Sequence, residues 1–434
     1  MTKRFRSMSA TAMAAVLGLA MMTTAAVPAA AREKQKKEEA AKGPQITPSK
    51  AFMPIVQKMD ETLKKKDAAG LQAAIAEGQG KATTNEDKYY QGFFTLQLGI
   101  LNKDQALQEQ GLNGALDSGL VTGPDTAVYN FFAGQFAYQK KDYAKAAQRL
   151  EAARAAGSTE ASLPDALLDS YMKSGQTDKA VAFAKENIAK LLAAGQRPSE
   201  QMFVIPARAL QEANRTDEMF DLLALRLQSY PSPQIWHQTL MIALRGADKD
   251  RTLDTLRLMR ATNSLLERGE YAEYASLASQ AALPGEAVAV IREGKAKKVI
   301  PAADADLDDL AKTQAERAGD EESTLAAYAK KPATLSNPKV AGVTGDALVG
   351  YGRAAEAIPL YQAAISAGGD KELWTYRLGV AQALTGDTAA AKASFGQIAG
   401  PRKVLAKFWL AKLDTTAAPA AAPAAPAAAP ATGG

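Results

Sequence analysis

One mark recurs along most of this chain and limits what it can fold into. Five positions after each Gly-Asx, Lys-Asp or Asn-Arg turn stand Ala146, Ala180, Met219, Thr252, Val290, Thr324, Ala357 and Ala391. Their spacings are 34, 39, 33, 38, 34, 33 and 34 residues. A repeat of that length holds two short helices and a turn, and one such hairpin cannot bury its apolar face alone. It must rest on its neighbours, so the repeats stack into a solenoid. Between the turns, apolar residues recur at i, i+3 and i+4 with no sustained alternation, which predicts helix and argues against strand. The longer spacings place extra residues near Gln196–Pro198 and Asn263–Gly269, as loops or bends.

The side chains follow the period. The last repeat reads Leu378-Gly379, Gly386-Asp387, then Ala391-x-x-x-Phe395. The one before it has Gly352 at the turn and Ala357-x-x-x-Tyr361, and an earlier one has Ala133-Gly134, Lys141-Asp142-Tyr143 and Ala146-x-x-x-Leu150. Another has Met219-x-x-x-Leu223 with Pro231 after its second helix. Small residues let two helices cross closely, and the large residue one turn later fills the space toward the next hairpin. The pattern resembles the tetratricopeptide repeat family. That resemblance implies an all-α, right-handed α-solenoid of about ten helix-turn-helix hairpins, with residues 126–414 as its regular part. Residues 51–125 read as two degenerate hairpins marked by Leu71 and Leu107. The repeats around Val290 and Thr324 are weak, with Gly294 where a large residue is expected in the first and Tyr328 in that place in the second.

The ends read differently. Lys3, Arg4 and Arg6, an apolar run from Ala12 to Met22 and Ala29-Ala30-Ala31 make residues 1–31 read as a secretory signal cleaved after Ala31, with an uncleaved N-terminal anchor as the alternative. The expected destination is the periplasm, with no transmembrane span in the mature chain. Residues 32–50 mix Lys and Glu before Gly43, Pro44 and Pro48, and read as a charged linker. From Thr415 to Gly434 the chain holds only Thr, Ala, Pro and Gly, a spacer-like tail. The ends also explain the charge. The whole chain is +5, but it falls to +2 without residues 1–31, and residues 32–50 carry +3 of their own, which leaves the body at −1. A near-neutral body has no broad field for phosphate, so nucleic acid is not an expected partner.

Motifs that carry chemistry are scarce. The chain has no Cys and one His, which excludes thiolate nucleophiles, Cys-type zinc sites and any site built on two imidazoles. Gly350-Tyr351-Gly352-Arg353-Ala354-Ala355 matches a dinucleotide fingerprint but falls between two helices instead of a strand and a helix. Asp304-x-Asp306-x-Asp308 opens like a calcium loop, yet the sixth position is Asp309 and the twelfth is Ala315. These acids suit the first turn of a helix. Pairs such as Glu321-Glu322 read as solvated. The expectation is therefore a chain with no catalytic set, no cofactor and no metal.

In the family it resembles, first helices line a concave face that takes a peptide or a partner helix. Carried over, those positions are Phe131, Gln135 and Tyr138; Asp165, Asp169 and Met172; Arg208 and Gln211; and His237 and Met241. The Lys/Asn clamp that some members use for a terminal carboxylate is absent, because Phe131, Asp165, Val204 and His237 stand at its positions. The implied function is an exported, non-enzymatic scaffold that binds another protein, within a bacterial envelope assembly. The alternative is a periplasmic binder or accessory for cell-wall polysaccharide. That reading requires Tyr138, Trp236 and Trp374 to be exposed on one face.

Overall fold

The structure, a computed structural model, describes residues 46–417. The expected signal at residues 1–31, most of the linker and the tail from residue 418 onward lie outside the described residues. Among the described residues there are 22 helices and no strand. No helix among them is long and apolar enough to cross a membrane. The chain divides into two compact units after Met202.

The first unit holds α1 (Met53–Lys64), α2 (Ala68–Gly78), α3 (Asn85–Leu101), α4 (Gln105–Asp117), α5 (Pro124–Gln139), α6 (Tyr143–Ala155), α7 (Leu163–Lys173) and α8 (Thr177–Ala193). The division falls in the first turn of α9 (Gln201–Glu212). Each helix packs on the next, as a stacked array requires.

The turns repeat one device. Lys66, Lys103 and Lys141 take a left-handed backbone, with φ of 54°, 56° and 64°. The Asp that follows returns its backbone N–H to the helix just ended, as Asp104 does to Gly99 at 2.8 Å and Asp142 to Ala137 at 2.9 Å. Its carboxylate then caps the helix about to begin: Asp67 accepts from Gly70, Asp104 from Ala106 and Asp142 from Lys145. One residue pair thus satisfies orphan carbonyls behind it and orphan amides ahead of it. The chain enters the array through a similar contact. The amide and hydroxyl of Ser49 both donate to the buried Asp87, at 2.8 and 2.9 Å, and Tyr90 donates to the Ile46 carbonyl at 2.7 Å.

The second unit holds α10 (Thr216–Ser229), α11 (Pro233–Leu244), α12 (Lys249–Ala261), α13 (Arg268–Gln280), α14 (Pro284–Ala296), α15 (Ala305–Ala318), α16 (Glu321–Tyr328), α17 (Pro332–Leu335), α18 (Pro338–Gly350), α19 (Ala354–Ser366), α20 (Lys371–Leu384), α21 (Thr388–Phe395) and α22 (Lys403–Ala417). The longer sequence spacings correspond to the irregular stretches before α9 and between α12 and α13. The helix-crossing rule holds in both units. A Cβ on Gly134, Gly345 or Gly379 would come within 2.8, 2.8 and 2.9 Å of Leu150, Tyr361 and Phe395 respectively. Each Gly precedes its large partner by 16 residues, so the same small-to-large contact recurs across the hairpin. Of the eight repeat marks, Ala146, Ala180, Met219, Val290, Ala357 and Ala391 are buried.

Two marks deviate for physical reasons. Thr252 is only half-buried, and Thr324 is exposed with Leu325 buried beside it. Tyr328, expected as the filling residue of that repeat, is 42% exposed. The hairpin around Thr324 does not insert between its sequence neighbours. Instead α14 packs directly against α18, and Gly285 and Gly350 make this possible. A Cβ on Gly285 would lie 2.2 Å from the Tyr351 ring, and one on Gly350 would lie 2.9 Å from Glu286. Gly294, which looked like a missing core residue, leaves room for Ile300 and Tyr271.

The second unit also closes on itself. α22 packs against α10 and α12, although 186 and 148 residues separate the bonded partners. Lys403 reaches Asp217 at 3.0 Å, Lys407 reaches Asp221, and Gln228 donates to Asp414 at 2.9 Å. All three pairs share the same offset of 186, so α10 and α22 run parallel in fixed register. Phe220 and Phe408 meet edge to face between them, 5.7 Å apart. An array in which every hairpin touches only its neighbours has no such contact.

Candidate functional site

The first unit brings several of the expected groove residues together on consecutive first helices. Tyr138, near the end of α5, donates to Asp169 on α7, and Lys173 donates back to the Tyr138 hydroxyl. Lys173 also pairs with Asp169 at 2.9 Å, one helical turn away. Its ammonium sits 4.7 Å from the Tyr138 ring and 5.2 Å from that of Tyr143. Burial works to lower the Lys173 ammonium, and its bonds to Tyr138 and Asp169 reverse this and leave it raised. The cation is therefore fixed at the pH of any cell compartment. Asp165, one turn earlier on α7, accepts from Ser199 at 2.6 Å. Gln135 and Met172 are half-buried on the same two helices.

Phe131 does not belong to this surface. It is fully buried and meets Phe132 edge to face at 5.6 Å. The phase of α5 turns it into the core beside Phe132. The remaining candidates lie in the second unit. Arg208 is exposed and bonds Glu212 within its own helix at 3.0 Å, Gln211 is exposed, and Met241 is 40% exposed. His237 is not poised toward solvent. Its Nε2 lies 2.5 Å from Glu270, whose other carboxylate oxygen accepts from the amides of Leu266 and Glu267 at the start of α13. The imidazole is thus bound to a helix cap, a structural partner signalled in the sequence only by a Glu at a helix start.

A second cluster was not anticipated at all. At the centre of the second unit, Asp254 and Arg257 of α12, Glu286 of α14, Asp346 of α18, Arg377 of α20 and Arg402 ahead of α22 form one ionic network. Arg257 grips Glu286 with two bonds of 2.8 and 2.6 Å, and Tyr274 of α13 donates to the same carboxylate at 2.8 Å. Asp254, fully buried, receives Arg377 at 2.9 Å and Arg402 at 2.8 Å. Asp346 accepts from Tyr361 at 2.7 Å, and the Arg377 Nε lies 3.6 Å from it. Three guanidinium groups thus face three carboxylates, drawn from helices spread over most of the unit.

The electrostatics of these acids differ. Burial works to raise the Glu286 carboxyl, and Arg257 beside it more than reverses the effect and leaves it lowered. Burial pushes Asp254 up despite its arginines. Asp346, desolvated and bridged less closely, is pushed up by burial to about 7. A sequence signal for this cluster does exist. Asp254 and Arg257 stand three apart inside Leu253-Asp254-Thr255-Leu256-Arg257-Leu258, where a charge between leucines must be paired if it is buried.

No group of three or more metal-ligating side chains occurs among the described residues. The Asp304 cluster instead caps α15: Asp304 pairs with Arg268 at 2.6 Å, and Asp308 pairs with Lys295. The Gly350–Ala355 string is the turn between α18 and α19, with Gly352 at φ 76°. The aromatic platform required for polysaccharide is missing, because Trp236 and Trp374 are buried and only Tyr138 is half-exposed.

The arrangement defines an all-helical repeat protein whose unit is the helix-turn-helix hairpin. No protein-family model and no curated protein matches the chain. Among solved structures it is similar to the structure of Naa15/Naa10 bound to HypK-THB, with a TM-score of 0.34 and 12% sequence identity. The match covers 81% of this chain and 63% of that chain. A likeness this distant says nothing of activity or partner, and the fold assignment rests on the hairpins themselves.

Proposed function

We propose that this chain is an exported, non-enzymatic scaffold of the tetratricopeptide kind that binds another protein in a bacterial envelope assembly, without cofactor. The observation that carries the reading is the stripe on α5 and α7. Tyr138, Asp169, Met172 and Lys173 present an aromatic ring, a thioether and a fixed ion pair on adjacent first helices, with their backbones held by the small-residue packing beneath. Tyr and Met are frequent anchors at interfaces, and a pre-organised pair loses little freedom on binding. Export rests on the character of residues 1–31 alone.

Two measurements test this reading. Intact mass of the envelope fraction should begin at Arg32; a protein retaining Met1 in the cytosol defeats the export claim. Mature protein used as bait in envelope extract should recover a partner. The Tyr138→Ala/Met172→Ala variant should then weaken binding by more than about 1 kcal/mol, roughly fivefold or more, without unfolding the array. Unchanged affinity in that variant, with binding lost on deletion of residues 418–434, would make the tail the recognition element instead.

A further inference from the structure

The ionic centre of the second unit lies where the unit closes. Arg402, the residue before α22, reaches across 148 residues of sequence to Asp254 on α12. The same Asp254 depends on Arg377, and Arg377 stands between two acids. Its Nη1 is 2.9 Å from Asp254, and its Nε, buried and without a hydrogen-bond partner, is 3.6 Å from Asp346. When Asp346 is neutral, Arg377 can serve Asp254 alone. When Asp346 is ionised, two carboxylates compete for one guanidinium in a largely desolvated site, and the buried acid holding Arg402 loses part of its compensation.

We propose that this centre is a pH-sensitive latch on the closure of the second unit, in which proton loss from Asp346 loosens the hold of α22 on α10 and α12. Every element around Asp346 contributes to the balance. α12 supplies Asp254 and Arg257, α14 supplies Glu286, α19 supplies Tyr361 and α20 supplies Arg377. α16 directs Glu321 to Tyr351, more than a turn farther along α18, at 2.8 Å. Asp346 holds its proton to about pH 7 in the folded unit, against 3.8 for a free side chain. The folded state therefore binds more protons than the unfolded one between those values, and its stability falls as pH rises through that window. Asp254 is shifted in the same direction. Glu286 is shifted oppositely, but it acts at the acidic end, below 4.5. The closed form is thus favoured in mild acid and weakened above neutrality.

Hydrogen exchange of the full chain, corrected for intrinsic rates, reads this directly. Amides of α22 and α10 should lose roughly tenfold in protection between pH 5.5 and pH 8. Asp346→Asn, which keeps the acceptor for Tyr361 but cannot ionise, should remove that loss. Tyr361→Phe deletes a bond that favours the ionised form, so its midpoint should move to higher pH. Protection of α22 that does not change with pH in the unaltered chain overturns the latch. So does an Asp346→Asn variant with an undiminished pH response. If Asp346→Asn does not fold, an unmoved midpoint in Tyr361→Phe overturns it as well.

Discussion

The two units of this molecule use the same hairpin and are held together by different means. In the first, backbones approach closely over an apolar core. A Cβ on Gly111 would lie 2.2 Å from the Leu96 amide nitrogen, and one on Gly92 would lie 2.3 Å from that of Ala115. Its core around Phe52, Met59, Leu71 and Phe94 is apolar, and its charged pairs lie toward solvent. In the second unit, six charged side chains meet in the interior and the last helix returns to the first. A contact between neighbours needs only shape. A contact between the ends of a unit must also be told apart from every other helix pairing, and charges in fixed register do that. The lesson is that one repeat can build an open stack or a closed one, and that the closing contact is written in polar residues.

The largest expected effect is on the centre of the closed unit. Arg257→Met leaves the buried Glu286 without its guanidinium, while Asp254 keeps Arg377 and Arg402, and should destabilise the second unit by about 3–5 kcal/mol. Hydrogen exchange in residues 203–417 should record it while residues 46–202 stay unchanged; equal loss in both would erase the distinction between the units. Next is Gly111→Ala in the first unit. The added methyl must push apart two backbones, which should cost about 1–3 kcal/mol despite the better helix propensity of Ala, as read by urea unfolding. A neutral result would show that the α3–α4 crossing is not held by close approach. Ala391→Phe in the second unit should fall in the same range, since Ala391 is fully buried.

Asp346→Asn works the other way. At pH 8 it removes a charge that folding desolvates, and should stabilise the chain by roughly 1–2 kcal/mol, with little effect at pH 5. Thermal melts at the two pH values distinguish this from a general gain in packing. The smallest effect is expected from Lys403→Ala/Lys407→Ala, which deletes the exposed pairs to Asp217 and Asp221. The loss should be visible at low ionic strength and vanish in high salt, because exposed pairs are screened. A loss that persisted in salt would make these pairs part of the closure energy as well as its register.

Much of the fold could be read from residues. The period located six buried marks, and the turn chemistry of Lys66-Asp67, Lys103-Asp104 and Lys141-Asp142 followed from local backbone demands that nothing distant can override. The repeat around Thr324 misled because spacing alone says that a hairpin exists, and packing decides whether it is inserted. Gly285 and Gly350 settled that question by letting α14 and α18 meet. Of the expected groove, Tyr138 and Asp169 were brought together, but Phe131 was not, since one residue of helical phase separates a groove from a core. The ionic centre was invisible to periodicity because its members come from helices as far apart as α12 and the start of α22. Only paired spacing hinted at closure: Asp217-x-x-x-Asp221 mirrors Lys403-x-x-x-Lys407. Two acids one turn apart on one helix can pair with two bases one turn apart on another, and the constant offset of the observed pairs shows that the two helices run parallel.

The constant offset of 186 residues also sets an order of events. Hairpins of the first unit can form as soon as their residues exist, since their contacts are local and fast. The parallel pairing of α22 with α10 must wait until residue 417 has been made. Bringing such distant segments together from a flexible chain would cost on the order of 5 kcal/mol in loop entropy. The intervening helices remove most of that cost by folding first and carrying the two ends toward each other. Closure therefore needs both α10 and α22 to have been made, unlike the local hairpin contacts. Until then, the Phe220 face of α10 and the Phe408 face of α22 stand open, and that interval is when a chaperone has something to hold.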